Sequence, residues 1–320
     1  MYAQTKVTGL ARSADRVRGV VIRGRDGTDR ELTARVVVGA DGRGSTVAQL
    51  VGARQYNVTD CDRPSLWRYY RRQGQPPALH FWRQGTDLIV IAPCDRDGLM
   101  VIVQPTLTER LSRDAGTRAF DAALARCPEA RDVLADPEPL SHTRVMPALQ
   151  GFYRESAGPG WALVGDAGHF KDVATGQGIG DALRQGERLA EAIGDGLAED
   201  RIDQALRRWW AWRDADAAGM YWFSKDVGQA GPVPALAHEV MRGIARDDAG
   251  RLALREVYTH SRNARKLFTP GRVLAAGVRS VARSRRWGTV TEIAATVAEE
   301  LRRRRLDRQP RHRLRGRAAA

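Results

Sequence analysis

The stretch WALVGDAGHFKDVATGQGIGDAL, residues 161–183, restricts the possible folds of this chain more than any other. Its opening apolar run has the character of a fully buried strand and ends at Gly165 and Asp166. Open α/β sheets bind ligands outside the carboxyl ends of their strands, which is where Asp166 falls. A carboxylate there can accept hydrogen bonds from hydroxyl groups, such as those of a ribityl or ribose chain. Gly176, Gly178 and Gly180 follow, and backbone without Cβ atoms lets a ligand approach closely. A helix starting among them directs unpaired amides and a partial positive charge toward that ligand, which suits an electron-rich or anionic group. The glycine spacing is GxGxG, and HFKDVAT separates it from the strand. It therefore differs from the dinucleotide fingerprint GxGxxG, which follows its strand at once. Taken alone, the segment is also compatible with an ordinary connection whose glycines serve only as turns.

A second segment repeats the arrangement. VVVGADGRGSTV, residues 36–47, is a β-branched strand followed by a loop with Asp41, Gly42, Gly44 and Ser45. The residues before it read as a β-meander with turns at SAD and RDG. Residues 66–107 contain LWRYYRR, ALHFWR, TDLIVIAP and LMVIVQP, separated by polar or proline-containing turns, which predicts a second sheet. Helical spacing appears in RAFDAALARC and again from Gly178 onward, where Ile179, Leu183, Leu189, Ala190 and Ile193 are expected to form one apolar face. Beyond about residue 200 the pattern is mainly helical, and no internal repeat is visible.

Composition excludes several classes. With 320 residues, 42% hydrophobic and 28% charged, the chain has the material for a substantial core. No apolar run approaches the roughly 20 residues of a membrane helix, and MYAQTKVTGL lacks the apolar centre of a signal peptide, so a cytoplasmic location is expected. Cys61, Cys94 and Cys127 show no CxxC spacing, and burial as small apolar groups is the expectation for them. The histidines form no HxxxH or HExxH pair, so no metal site is expected. The net charge of +14 is concentrated at the end: residues 301–320 hold nine arginines against Asp307 alone. Such a run reads as a solvated, disordered tail, with an anionic partner such as RNA or lipid headgroups as the alternative. No aromatic residue interleaves it to stack on bases, so nucleic acid is not the expected partner.

Together, ADGRGS at residues 40–45 and GDAGH at 165–169 with its glycine-opened helix resemble the flavoprotein monooxygenase family typified by para-hydroxybenzoate hydroxylase. The likeness runs over residues 6–197. It implies that Asp166 binds the ribityl chain of FAD, with Gly165 and Ala167 shaping the turn. Gly176, Gly178, Ile179 and Gly180 would lie near the flavin ring, where the helix start stabilises negative charge on reduced flavin. Asp41, Gly42 and Ser45 match the loop that supports flavin binding and NAD(P)H use. Two positions depart from the family pattern: Ala48, often arginine, and Gly180, often asparagine. The family's opening GxGxxG unit, which binds the ADP half of FAD, has no counterpart in these 320 residues. The expectation is therefore a truncated or misassigned start, a partner chain supplying that unit, or a non-catalytic relative.

The fold class expected is α+β: an α/β flavin-binding part, amino-terminally incomplete, with an inserted mixed β-sheet and a helical carboxyl-terminal region. The divisions are residues 1–60 and 149–200 for the FAD-binding part, 61–148 for a substrate domain, 201–300 for helices and 301–320 for the tail. The resemblance implies reduction of FAD by NAD(P)H and hydroxylation or epoxidation of a small organic substrate with O2, through a flavin C4a-peroxide. No side-chain nucleophile is required, and His169 is expected to be structural, through hydrogen bonding. Trp67, Tyr69, Phe81 and Trp82 could line a substrate pocket or fill the core. The aromatic cluster from Trp209 to Phe223 is expected to pack the last helices onto the flavin-binding part. A flavin-dependent double-bond reductase and a scaffold that retained only the fold remain as alternatives.

Overall fold

Apolar residues alternating with polar ones over the first 33 positions build a twisted antiparallel sheet of β1 (Lys6–Ser13), β2 (Arg16–Arg23) and β3 (Asp29–Thr33). Val17 and Ile22 of β2 point inward. A computed structural model describes residues 1–71, 78–95, 97–107, 110–135, 137–284 and 288–317, with side chains except at 270, 283–284, 288–290, 292 and 309–317. The meander leads to β4 (Val37–Gly39), the short helix α1 (Thr46–Leu50) and β5 (Gln55–Asp60).

Next come β6 (Ser65–Arg71), β7 (His80–Gln84), β8 (Asp87–Cys94) and β9 (Gly98–Gln104), the four strands expected from the sequence. The connection between the first two lies outside the described residues. Helices α2 (Arg113–Ala125) and α3 (Pro128–Leu134) and the short strands β10 (Glu138–Pro139) and β11 (Arg144–Met146) complete this part. The sheet runs β10-β6-β9-β8-β7, with β11 also on β6. Every pairing in it is antiparallel, which corrects the expectation of a mixed sheet. The reason is local: two residues, Gly85 and Thr86, join β7 to β8, and so short a link permits only an antiparallel neighbour. One face packs Leu66, Tyr70, Ile89, Ile91, Val101 and Val103 against Phe120, Ala123 and Leu124 of α2. Cys127 is buried there, but Cys61 is half-buried and Cys94 exposed, so burial holds for only one of the three cysteines.

The chain then forms β12 (Gln150–Arg154), β13 (Ala157–Gly158), β14 (Trp161–Leu163) and β15 (His169–Phe170). Strand β12 lies between β15 and β5, and β14 lies between β13 and β4. Six helices follow: α4 (Gly178–Ala198), α5 (Ile202–Gly228), α6 (Ala235–Ala245), α7 (Asp248–Tyr258), α8 (Pro270–Ser284) and α9 (Gly288–Arg317). The buried side of α4 carries Asp181, Gln185, Leu189 and Gly196, while Ile179 and Leu183 are 79% and 72% exposed. The expected apolar face is therefore corrected: the helix buries a partly polar stripe that hydrophobic periodicity cannot register.

Helix α5 ties the parts together, and its aromatics do pack the helices onto the strands. Trp209 and Trp210 meet Ala157, Ala162 and Leu189, while Tyr221 and Trp222 join Tyr153. The fully enclosed Arg213 donates from Nε to Asp214 Oδ1 at 2.9 Å and from Nη2 to Arg154 O at 3.1 Å and Ser156 Oγ at 3.0 Å. Tyr56 of β5 donates to Asp214 Oδ2 at 2.6 Å and accepts from Trp210 Nε1 at 2.9 Å. At the far end of α5, the buried Arg63 donates to the carbonyls of Gly228, Gln229 and Gln104, and Arg83 to those of Val227, Gln229 and Gly231. Two cations thus cap the negative end of the helix and fasten the six-stranded sheet to it.

The arginine-rich end is not a disordered tail as far as it is described. Its backbone continues α9 to Arg317, with Arg302 and Arg303 bonded to Glu299 and Arg304 to Glu300. Arg303 also pairs with Asp226 at 2.7 Å, and Asp307 accepts from Trp222 Nε1 at 3.1 Å. The side chains of Arg311, Arg313, Arg315 and Arg317 lie outside the described residues.

Removing one partner of a buried ion pair leaves an uncompensated charge. Arg213→Ala should therefore lower stability by about 3–5 kcal/mol in urea unfolding. A loss below about 1 kcal/mol would show that the Arg213 network is not what holds α5.

Candidate functional site

The only parallel pairing among the described residues sets Val37, Val38 and Gly39 of β4 beside Trp161, Ala162 and Leu163 of β14. Both strands run the same way, so the loops that follow them emerge side by side, and Val164 N donates to Gly39 O at 2.9 Å. The two segments singled out in the sequence thus converge. Arg154 joins them: its guanidinium donates to Ala167 O at 2.9 Å and Arg43 O at 3.2 Å. Nothing in the sequence marks Arg154, because its partners lie far away in the chain.

In the first loop, Asp41 Oδ1 accepts from Ser45 Oγ at 2.5 Å, and Oδ2 accepts from Thr46 N at 2.7 Å and Val47 N at 3.2 Å. Ser45 Oγ in turn accepts from Ala48 N at 2.9 Å. Both side chains cap α1. Ser45 is fully buried and holds the loop's shape, whereas the Asp41 residue and the backbone at Gly42 remain accessible. Ala48 is also buried, in a core cluster with Val37 of β4 and Trp161 and Leu163 of β14.

In the second loop Gly165 opens a short 3-10 turn, Gly165–Ala167, at φ +60°. A Cβ on Gly165 would lie 3.1 Å from that of Ala182, so α4 sits directly against the turn. Its amide donates to Gln185 Oε1 at 3.2 Å. Asp166 is half-buried and its carboxylate makes no hydrogen bond or ion pair with the protein among the described residues. Burial raises its pKa, opposed by the charges of Lys171 and Arg43. Beside it, a Cβ added at Gly176, Gly180 or Gly42 would meet nothing within 4 Å, and one at Gly178 would meet only Asp166 Oδ1, at 3.9 Å. The glycines therefore border open space at the start of α4, with Ile179 exposed next to them. An acceptor without a protein partner, set beside bare helix-start backbone, fits a polyol chain joined to an electron-rich planar ring. All ten residues proposed for the cofactor lie on these two adjacent loops or at the start of α4.

His169 is buried with its ring tilted on Tyr153, centroids 4.6 Å apart. Its Nε2 has no hydrogen-bond partner, and burial pushes its pKa well below the usual value. The ring also packs against Tyr221, centroids 5.8 Å apart, and its Nδ1 stands 3.9 Å from Asp181 Oδ2. Beneath the glycines lies a cluster that no local sequence pattern marks. Asp181, in the first turn of α4, is buried and bonded to Lys171 Nζ, with His260 Nε2 at 3.3 Å and Arg184 at 3.7 Å. Burial pulls the Lys171 pKa down to about 7, opposed by Asp166 and reinforced by Arg184. His260 comes from the turn after α7, and Gln177 Nε2 donates to Tyr258 O at 3.3 Å in the same region. The carboxyl-terminal helices therefore hold the beginning of α4 in place.

On the six-stranded sheet, Trp67, Ile102, Val90 and Phe81 stand in register across β6, β9, β8 and β7. None of them belongs to the core on α2, and all are half-buried or exposed. Tyr69 shares their face by alternation, whereas Trp82 packs on the helix side. Among the described residues there is no group of three or more His, Cys, Asp or Glu placed to hold a metal, and no helix is long and apolar enough to cross a membrane.

A mixed α+β fold with an acidic turn and a glycine-opened helix beyond a parallel strand pair has the parts of an FAD-binding domain. The chain is a member of the FAD binding domain family, whose pattern matches residues 1–221. Among solved structures it is similar to the flavin-dependent brominase Bmp2, with TM-score 0.59 and 19% identity over 78% of this chain and 64% of that one. It also resembles the myxobacterial chondrochloren halogenase CndH, with TM-score 0.59 and 20% identity over 85% of this chain and 68% of that one. A third is PqsL, a probable FAD-dependent monooxygenase from Pseudomonas aeruginosa, with TM-score 0.53 and 19% identity over 82% and 66%. At these identities the likeness is one of fold, and the chain spans about two thirds of each of these structures.

The cluster around Asp181 makes stability depend on pH. Burial lowers the pKa of His260 from 6.5 to about 4, with Arg184 and Lys171 adding to the effect. Between those values the unfolded chain binds the extra proton, so His260 makes stability fall as pH drops from 6.5 to 4. His260→Asn, which tolerates the positive φ of 58° at this position, should flatten the dependence of the melting midpoint on pH across that window. Parallel curves for parent and variant would exclude this role.

Proposed function

We propose that this protein is an FAD-dependent monooxygenase that takes electrons from NAD(P)H and hydroxylates or epoxidises a small apolar or aromatic substrate with O2. The observation that carries this reading is the unpartnered carboxylate of Asp166 beside the open backbone of Gly176, Gly178 and Gly180. In this reading Asp166 accepts from the ribityl hydroxyls, and Gly165 and Ala167 set its direction. The first amides of α4, between Gly178 and Asp181, face the electron-rich edge of the ring. Asp41 and Gly42 border the same space from the neighbouring loop, which Ser45 and Arg154 keep rigid. FAD, when bound, would supply the electron transfer and the oxygen chemistry, leaving the protein to position substrate and exclude water.

The face of the six-stranded sheet away from α2 supports an apolar or aromatic substrate. Trp67, Tyr69, Phe81, Val90 and Ile102 give it a broad apolar wall without charged groups among those five. Residues 61–148 would then form the substrate domain, with 1–60 and 149–200 as the flavin-binding part.

The test begins with purified protein incubated with excess FAD, freed of unbound cofactor and read by visible absorption. Asp166→Ala should weaken FAD retention at least tenfold, about the loss of one charge-assisted hydrogen bond. His169→Ala, if folded by circular dichroism, should change it only a few-fold. Equal retention by the Asp166 variant and the parent would remove the basis for the site. FAD-loaded protein should then oxidise NADH or NADPH faster when an aromatic substrate is present.

A further inference from the structure

At the opposite end of β4 and β14 from the flavin loops lies a concave surface of about 660 Å³, formed by the turns before β2 and β4 and the start of α5. Arg16, Arg18, Arg35, Arg201 and Arg207 line it, against only two carboxylates, Asp200 and Asp203. Asp203 is committed: it binds Arg16 at 2.5 Å and accepts from Gly160 N at 3.0 Å. Asp200 stands 3.9 Å from Arg35 and is almost fully exposed. The guanidinium groups of Arg18, Arg201 and Arg207 have no hydrogen-bond or ion-pair partner among the described residues. Three guanidiniums held around one hollow repel each other, and an anion carrying about three charges relieves that repulsion while accepting their forked hydrogen bonds. A single phosphate is small for this volume, which lies within the usual range for small-molecule sites of about 300–1,000 Å³.

We propose that this basic hollow is a second ligand site, separate from the flavin loops, that binds a diphosphate, either free or as the diphosphate of a nucleotide. The separation follows from chain direction: Arg35 precedes β4 and Gly160 precedes β14, whereas Asp41 and Asp166 follow them. The proposal stands on the cavity and its unpaired cations and does not depend on the chemistry assigned to the flavin site.

Isothermal titration of the full chain with inorganic pyrophosphate, ADP and sulfate tests it. Saturable binding of pyrophosphate or ADP, at least tenfold tighter than sulfate, is expected. Tighter binding of ADP identifies a nucleotide as the ligand, and equal or tighter binding of pyrophosphate identifies free diphosphate. The double variant Arg18→Ala and Arg207→Ala should weaken binding at least tenfold without changing FAD retention, while Arg208→Ala, on α5 outside the hollow, should leave it unchanged. Sulfate binding as well as pyrophosphate, or an equal loss in the Arg208 variant, would mean non-specific attraction to a basic protein and overturn the proposal. FAD retention falling together with diphosphate binding would also overturn it, by making the hollow part of the flavin site.

Discussion

The enclosed guanidinium of Arg213 is the contact on which the arrangement of the other elements depends. A charge without solvent must be neutralised and hydrogen-bonded in place, and here Asp214, Ser156 and the carbonyl of Arg154 do so from two different elements. Because Asp214 is also bonded by Tyr56, the same pair fixes β5. Helix α5 is thereby held in one rotation and one register, with its aromatic residues set against β12 and β14. Arg63 and Arg83 repeat the device at the carboxyl end of α5, this time against the six-stranded sheet. At these two junctions the chain uses buried arginines where other domains use apolar ridges.

The candidate site inherits that rigidity. Arg154 is held by the Arg213 network through its backbone, while its side chain spans the two loops beyond β4 and β14. On the other side, Lys171 neutralises Asp181 beneath the start of α4, so the helix begins on a compensated carboxylate. Asp166 is left as the carboxylate with no partner, although Lys171 and Arg43 lie close enough to favour its charged form. Burial still raises its pKa overall, and the two cations hold that rise in check.

The local parts of this arrangement were legible in the sequence. Strand β14 followed by Gly165 and Asp166, and β4 followed by Asp41 and Gly42, announce themselves through contiguous apolar runs and turn residues. The four main strands of the large sheet do so for the same reason. What escaped is whatever depends on distant partners or inverted polarity. Arg154, Lys171 and His260 are unremarkable charged or polar residues until the fold brings them to their carboxylates and carbonyls. The buried face of α4 departs from its apolar periodicity because Asp181 and Gln185 are buried while Ile179 and Leu183 are not, the reverse of what transfer energies favour. The arginine-rich end follows the same logic, since Glu299 and Glu300 one turn earlier turn apparent repulsion into helix-supporting pairs.

The parallel pairing of β4 with β14 joins segments about 120 residues apart in the chain. The pairing of β12 with β5 and those of β10 and β11 with β6 also join distant segments, but each spans fewer residues, and the remaining pairings lie closer in sequence, five of them hairpins. The meander and the large sheet can therefore form from their own neighbourhoods, whereas the floor of the site exists only after the whole intervening region has compacted and brought the strands together. Ligand competence is in this sense a late property of the folding chain. A nick or a stalled domain between the two strands would leave well-formed sheets on either side and no place for a cofactor between them.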